Sequence, residues 1–283
     1  MSNAQNTPRL TDRKALAAHR LRAQRLSEPA DFLQKEAIYE VQDRLSAVNK
    51  VFKDIAIVTG WPALWQAAFP EAHIVADDEI LALAPKAYEL VIHGMALHWA
   101  DDPIGQLVQC RHALRDDGLF LALFFGGQTL SELRACLAEA EAEISGGLSP
   151  RVLPMGEIRD LGALLQRAGY ALPVADSLTR EVTYGHALRL MADLRAMGES
   201  NALQARLRRP TRRSLLLRAA EIYAATYPAE GGRIRATFEI LCLTGWSPHE
   251  SQQKPLRPGS AAARLADALN ATEHRLPEGP RKT

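Results

Sequence analysis

The sequence predicts an α/β protein built on a mostly parallel sheet, and three observations carry that expectation. Short continuous apolar runs stand at 54–60, 73–76, 88–93 and 119–125, the pattern of strands buried on both faces. Segments with apolar residues at helical spacing separate them, which is the alternation of an α/β domain. A chain of 283 residues, 47% apolar and 24% charged, is also large enough to cover both faces of such a sheet. That composition excludes a disordered or collagen-like chain. The longest apolar run, 119–125, is far below the ~20 residues of a membrane-spanning helix.

Residues 9–25 are basic: Arg9, Arg13, Lys14, Arg20, Arg22 and Arg25 face only Asp12. The segment has the Arg-rich, acid-poor composition of an organellar transit peptide, but its apolar stripe (Leu10, Leu16, Ala17, Leu21) is thin and no secretory core follows. Over 31–48, Phe32, Leu33, Ala37, Ile38, Val41, Leu45 and Val48 mark an amphipathic helix with Asp31 placed to cap it. Residues 54–60 form the first buried strand, and Pro62 starts a short crossover helix that ends by Pro70. After the strands at 73–76 and 88–93, Asp102-Pro103 opens a helix, Asp as cap and Pro in its first turn. Asp116-Asp117-Gly118 reads as the turn into strand 119–125.

Thr129 and Glu132 have capping-box spacing at the head of a helix running to about 144, which Gly146-Gly147 ends. The helix at 157–168 stops at Gly169, a residue suited to a left-handed cap, and strand resumes at 170–175. Helices at 184–197 and 210–226 and a strand at 235–245 complete the pattern. From 247 the chain is polar and Pro-rich, the composition of a loosely held tail with a short helix at 261–269 and disorder after 275. Three regions result: a basic N-terminal segment with helices (1–50), an α/β domain (51–246) with a helical insertion at 184–226, and a polar tail (247–283).

A net charge of +1 hides 27 Arg against 7 Lys. A second cluster at 206–218, R-L-R-R-P-T-R-R-S-L-L-L-R, is either a solvated helix face or a surface for phosphate or an acidic protein. Arginine clusters without interleaved aromatics do not point to nucleic acid. Cys110, Cys136 and Cys242 lack CxxC spacing, and no HxH or HExxH motif is present, so neither a disulfide framework nor a metal site is indicated. A reducing, cytoplasmic setting is expected.

The segment Tyr88-Glu89-Leu90-Val91-Ile92-His93-Gly94-Met95-Ala96-Leu97-His98-Trp99-Ala100-Asp101-Asp102-Pro103 resembles the fourth-strand motif of class I S-adenosylmethionine-dependent methyltransferases. Downstream, 114–120 resembles the turn into that family's fifth strand. Gly126-Gly127-Gln128-Thr129-Leu130-Ser131-Glu132-Leu133-Arg134 is similar to a block of one branch, which holds the carrier-protein methyltransferase of biotin synthesis and, more closely, the methyltransferase-like assembly factors of mitochondrial respiratory complex I. Three further blocks, at 159–170, 197–201 and 245–252, resemble the second group. The resemblance covers about 10–269 and implies a Rossmann-like sheet with S-adenosylmethionine as the family's cofactor. It also implies a protein partner, a complex I subunit, met at the inner face of the inner membrane without spanning it. The implied activity is methyl transfer to a protein or carrier, hydroxylation of an arginine on a complex I subunit, or binding without catalysis.

In the family, strand one runs into Asp-Leu-Gly-x-Gly-x-Gly, whose bare backbone admits the cofactor. This chain has Val58-Thr59-Gly60-Trp61-Pro62: one glycine, an indole expected to collide with the cofactor, and a proline lacking an N–H. The cofactor site therefore reads as eroded, with Thr59, Gly60, Asp77 and Asp78 as the contacts it could retain. Asp77 and Asp78 allow two alignments. If 76–83 matches the family's third strand, the acid there addresses adenine and the unit carrying the ribose acid is lost; otherwise Asp77 is the ribose acid and the adenine contact is missing. The first alignment predicts about six strands. His98, just past the fourth-strand motif on the ligand-binding edge, is either a general base or a histidine packed beneath a loop. Glu199 with Asn201, or His249 with Glu250, could reach the same mouth through tertiary packing. His73, His93 and His112 read as structural.

Overall fold

Seven strands form the central sheet of the computed structural model, which describes residues 9–253. They are β1 (Ile55–Thr59), β2 (His73–Val75), β3 (Tyr88–Gly94), β4 (Leu114–Gly126), β5 (Ala171–Tyr184), β6 (Pro228–Ala229) and β7 (Arg233–Trp246). Their order is β2-β1-β3-β4-β7-β5, with the two-residue β6 attached to β7. The β2/β1, β1/β3 and β3/β4 pairings are parallel, and β7 alone runs against its neighbours β4, β5 and β6. The expected six strands make up the continuous path.

Alternation along the strands splits the core into two layers, because successive side chains leave a strand on opposite faces. Ile57, Leu90, Ile92, Leu121 and Leu123 pack on one side with Trp65, Tyr223 and Phe238. Val58, Val91, Phe120, Ala122 and Phe124 pack on the other with Leu107, Leu165 and Leu241. The first layer is covered by α2 (Phe32–Ala47), α3 (Pro62–Ala68), α5 (Ser131–Ser145), α7 (Ala187–Ala196) and α8 (Arg213–Thr226), the second by α4 (Pro103–Ala113) and α6 (Ile158–Arg167). The basic segment folds as α1 (Arg13–Gln24), capped by the Asp12 carboxylate on the Ala15 N–H. Residues Met1–His249 and Glu250–Thr283 form separate units, and the first holds every element named here. The expected helix at 261–269 and disorder after 275 lie outside the described residues.

Several local expectations are corrected. Asp116-Asp117-Gly118 does not end a turn; it lies inside β4, where Asp117 adopts a left-handed φ of 58° and the strand continues back to Leu114. β5 does not stop at Ala175 but runs to Tyr184, alternating exposed and half-buried residues as an edge strand does. Asp31 makes no cap and pairs with Lys35 instead. Thr129 and Glu132 form no capping box. Leu130 takes the cap position at φ 54°, the Thr129 hydroxyl donates to the Gly126 carbonyl and accepts from the Glu239 N–H, and Glu132 accepts from Thr237. Residues 206–212 precede α8, so most of the second arginine cluster is loop and not helix face.

Candidate functional site

In an open α/β sheet, ligands bind beyond the carboxyl ends of the strands where the order reverses. Here that point lies between β1 and β3. β1 ends at Thr59 and Gly60, and β2 beside it leads to Asp77 and Asp78. Because β2 bonds directly to β1, it holds the second-strand place of a 3-2-1-4 order. Among the described residues no strand pairs with the outer edge of β2, and Asp77 follows that strand.

α1 packs across this end of the sheet, and an open cavity of about 510 Å³ remains between it and Thr59, Gly60, Asp77 and Asp78. Arg20 is buried and its Nη1 donates to both Asp77 carboxylate oxygens, at 2.8 and 2.9 Å. Arg13 adds a contact at 3.3 Å and donates to the Asp77 carbonyl. Burial raises the Asp77 pKa, but Arg20 and Arg13 outweigh it and hold the carboxyl below the usual aspartate value. The guanidinium packs against Gly60, where a Cβ would come within 2.4 Å of its carbon; only glycine admits this approach. Gln24 donates to the Gly60 carbonyl at 2.8 Å, and the Thr59 hydroxyl accepts from the Trp61 N–H at 3.1 Å. Asp78 is exposed and only its carbonyl is engaged, by Gln106. Trp61 differs from expectation: its indole is buried in the first core layer, and it is the Arg20 side chain that fills the space outside Gly60. Pro62 starts α3 as expected.

A tether holds α1 down. The Asp101 carboxylate, ninety residues along the chain, accepts from the Leu10 and Thr11 N–H groups at 2.8 Å each, and the Thr11 hydroxyl donates to the Trp99 carbonyl at 2.9 Å. Asp12 pairs with Arg206 at 2.9 Å and Arg208 at 3.2 Å.

His98 sits in a 3-10 turn after β3, over Leu97–Trp99. Its Nε2 lies 3.2 Å from a Glu199 carboxylate oxygen that also accepts from the Trp99 indole at 2.7 Å, and its ring meets the edge of Phe125 at 5.1 Å. Burial pushes the Glu199 carboxyl up, yet His98, Arg20 and the Trp99 N–H more than offset it, so the pKa is lowered. An anionic carboxylate thus stands in an apolar pocket of about 180 Å³ lined by Phe125, Leu133, Leu194 and Phe238. Such a pair can orient an imidazole and hold a proton on Nε2, leaving Nδ1, which is buried with no protein partner among the described residues, as the free ring nitrogen.

Glu199 and Asn201 therefore reach the mouth with His98, whereas His249 and Glu250 do not line it. Asn201 is also structural: its amide donates to the Pro150 carbonyl and accepts from the Leu203 N–H. His93 is buried against Gln106 and His73 meets the Tyr88 hydroxyl. The described residues contain no group of three or more His, Cys, Asp or Glu side chains able to hold a metal, and no helix long and apolar enough to cross a membrane.

No family model matches the chain. Over 198 residues it is 40% identical to "Arginine-hydroxylase NDUFAF5, mitochondrial" of Danio rerio, covering 70% of this chain and 61% of that protein. It is 33% identical over 188 residues to "Malonyl-[acyl-carrier protein] O-methyltransferase" of Laribacter hongkongensis, covering 66% and 61%. The chain has a class I methyltransferase-like fold. It spans about three fifths of the length of these curated relatives. Among solved structures, YcgJ of Bacillus subtilis superposes with a TM-score of 0.49 at 10% identity, covering 75% of this chain and 99% of that one.

For this methyltransferase-like chain, sequence reasoning missed two residues of the site. Arg20 was read only as part of a basic run, since its partner lies 57 residues away. Arg151, whose guanidinium forks onto Glu141 while lining the His98 pocket, gave no local signal. A lone arginine on the otherwise apolar Leu16/Ala23 face of α1 was the one hint available.

Proposed function

We propose that this chain is a methyltransferase-fold protein whose S-adenosylmethionine cleft is closed by its own α1, and that it works by binding or modifying a protein subunit during respiratory complex I assembly. The observation that carries this reading is the Arg20–Asp77 pair packed on Gly60. A ribose needs Asp77 as an acceptor, and here two arginines hold it. A nucleoside also needs the space over Gly60, and a guanidinium stands there. With Pro62 lacking an N–H in the turn, the residues present do not fit the cofactor in this arrangement, and no methyl-transfer step is derived. The blocks at 159–170, 197–201 and 245–252, which resemble complex I assembly factors, support the assembly role, at the cytoplasmic, inner face of the inner membrane.

The test is calorimetric titration of the purified full chain with S-adenosylmethionine, alone and as Arg20→Ala. No heat of binding is expected for the wild type at concentrations of tens of micromolar. A micromolar Kd for the wild type would overturn the closed-cleft reading in favour of an active methyltransferase on a protein or carrier. A second reading, protein-arginine hydroxylation, is favoured by the likeness to the arginine-hydroxylase NDUFAF5 proteins and by an oriented His98–Glu199 pair. Mass spectrometry of candidate subunits from cells with and without the protein would reveal it as one added oxygen on an arginine.

A further inference from the structure

The His98 pocket opens into a second groove of about 390 Å³ that shares Leu137, Arg151, Met191, Ser200 and Asn201 with it. Four arginines line that groove, Arg22 from α1, Arg151, Arg195 from α7, and Arg206, and no carboxylate does. Arg151 and Arg206 are neutralised by Glu141 and Asp12. Arg22 and Arg195 are exposed with no side-chain partner among the described residues, so the groove carries uncompensated positive charge. The same field reaches His19 on its wall: burial first, then Arg22 and Arg206, lower its pKa.

We infer that this groove is the docking site for an extended acidic segment of a partner protein, whose carboxylates face Arg22 and Arg195 while one large apolar side chain enters the His98 pocket. The inference rests on the protein-binding reading above and names the chemistry of the partner. Charge complementarity selects the acidic character. The apolar walls, Phe125, Leu133 and Phe238, select a side-chain anchor of the kind that dominates interfaces. The groove has no Phe, Tyr or Trp lining it, so it lacks the large stacking platforms by which single-stranded nucleic acids are held.

The experiment uses a fluorescein-labelled twelve-residue peptide of Asp and Glu with one central Phe, followed by anisotropy against the full-length protein. Saturable binding that weakens with added salt is expected. Changing the central Phe to Ser should weaken it about tenfold or more, and Arg22→Glu/Arg195→Glu should weaken it about tenfold. Both arginines are solvent-exposed, so the variant should melt with the wild type. Three results would each overturn the inference: wild-type affinity in the double variant, equal binding of a Lys-for-acid peptide, or binding of a uridine dodecamer or phosphatidylglycerol vesicles as tight as that of the peptide. Heat with S-adenosylmethionine would instead overturn the closed cleft and leave the groove untouched; peptide failure would do the reverse.

Discussion

Arg20→Met removes one member of a buried ion pair and leaves the Asp77 carboxylate in the sheet crevice with Arg13 alone. Breaking a buried pair from one side costs about 3–5 kcal/mol. Two features lower that figure here: Arg13 stays at 3.3 Å, and the Nε and Nη2 groups of Arg20 are already buried without partners. We expect a loss of about 2–3 kcal/mol at pH 7, or a Tm lower by ~5–10 °C. The pH dependence supplies the sharper check. Asp77 has a lowered folded pKa, so the pair's stabilisation is complete above the unfolded aspartate value of about 3.9 and is lost as pH falls through the folded value. In the variant, burial acts on Asp77 with less opposition, and its protonation relieves the cost. The gap between wild type and variant should therefore narrow below about pH 4, as read from urea midpoints across pH. Adding Asp77→Asn should recover much of the loss. A single variant within about 0.5 kcal/mol of wild type at pH 7, or a gap that widens in acid, would refute the buried pair.

Three further outcomes follow from the packing. Gly94→Ala places a Cβ 2.6 Å from the fully buried Trp65 ring and should cost about 1–3 kcal/mol, seen as a lower urea midpoint at unchanged slope. Glu199→Ala strips the acceptor from the Trp99 indole; a loss of about 1–3 kcal/mol should accompany an upfield move of that N–H in a heteronuclear NMR spectrum. The Glu141 carboxyl is pushed down to about 2, by Arg151 first, then by Ser149 against the opposing effect of burial. Its folded pKa lies below the unfolded one, so its stabilisation holds above pH ~4.5 and is lost towards pH 2. Glu141→Gln should flatten the stability profile across that window.

What was legible in the sequence was periodic. The apolar runs placed β1, β2 and β3 within a residue or so, helical spacing placed α2, and start and stop signals placed α4, α5 and α6. Errors arose where local chemistry had two uses. Asp116-Asp117-Gly118 has turn composition, but a single left-handed residue, Asp117, lets a strand kink and continue. Thr129 and Glu132 have cap spacing, yet β7 offers them partners in Glu239 and Thr237 that no sequence window contains. The site divides the same way. Motif position marks Gly60, Asp77 and His98 as candidates, while Arg20 and Arg151 reach these places only through residues brought near by folding. Trp61 was identified as an obstacle to the cofactor; its side chain went into the core, and the obstruction came from another element.

A cleft filled by a diffusible ligand is stabilised by an amount that rises and falls with supply, as RT ln(1 + [L]/Kd). Arg20 is joined to the chain whose Asp77 it holds, and the Asp101 tether fixes the helix that carries it. Its effective concentration at Asp77 is constant, set by covalent geometry and independent of metabolic state. Stability gained in that way does not vary with the supply of any small molecule.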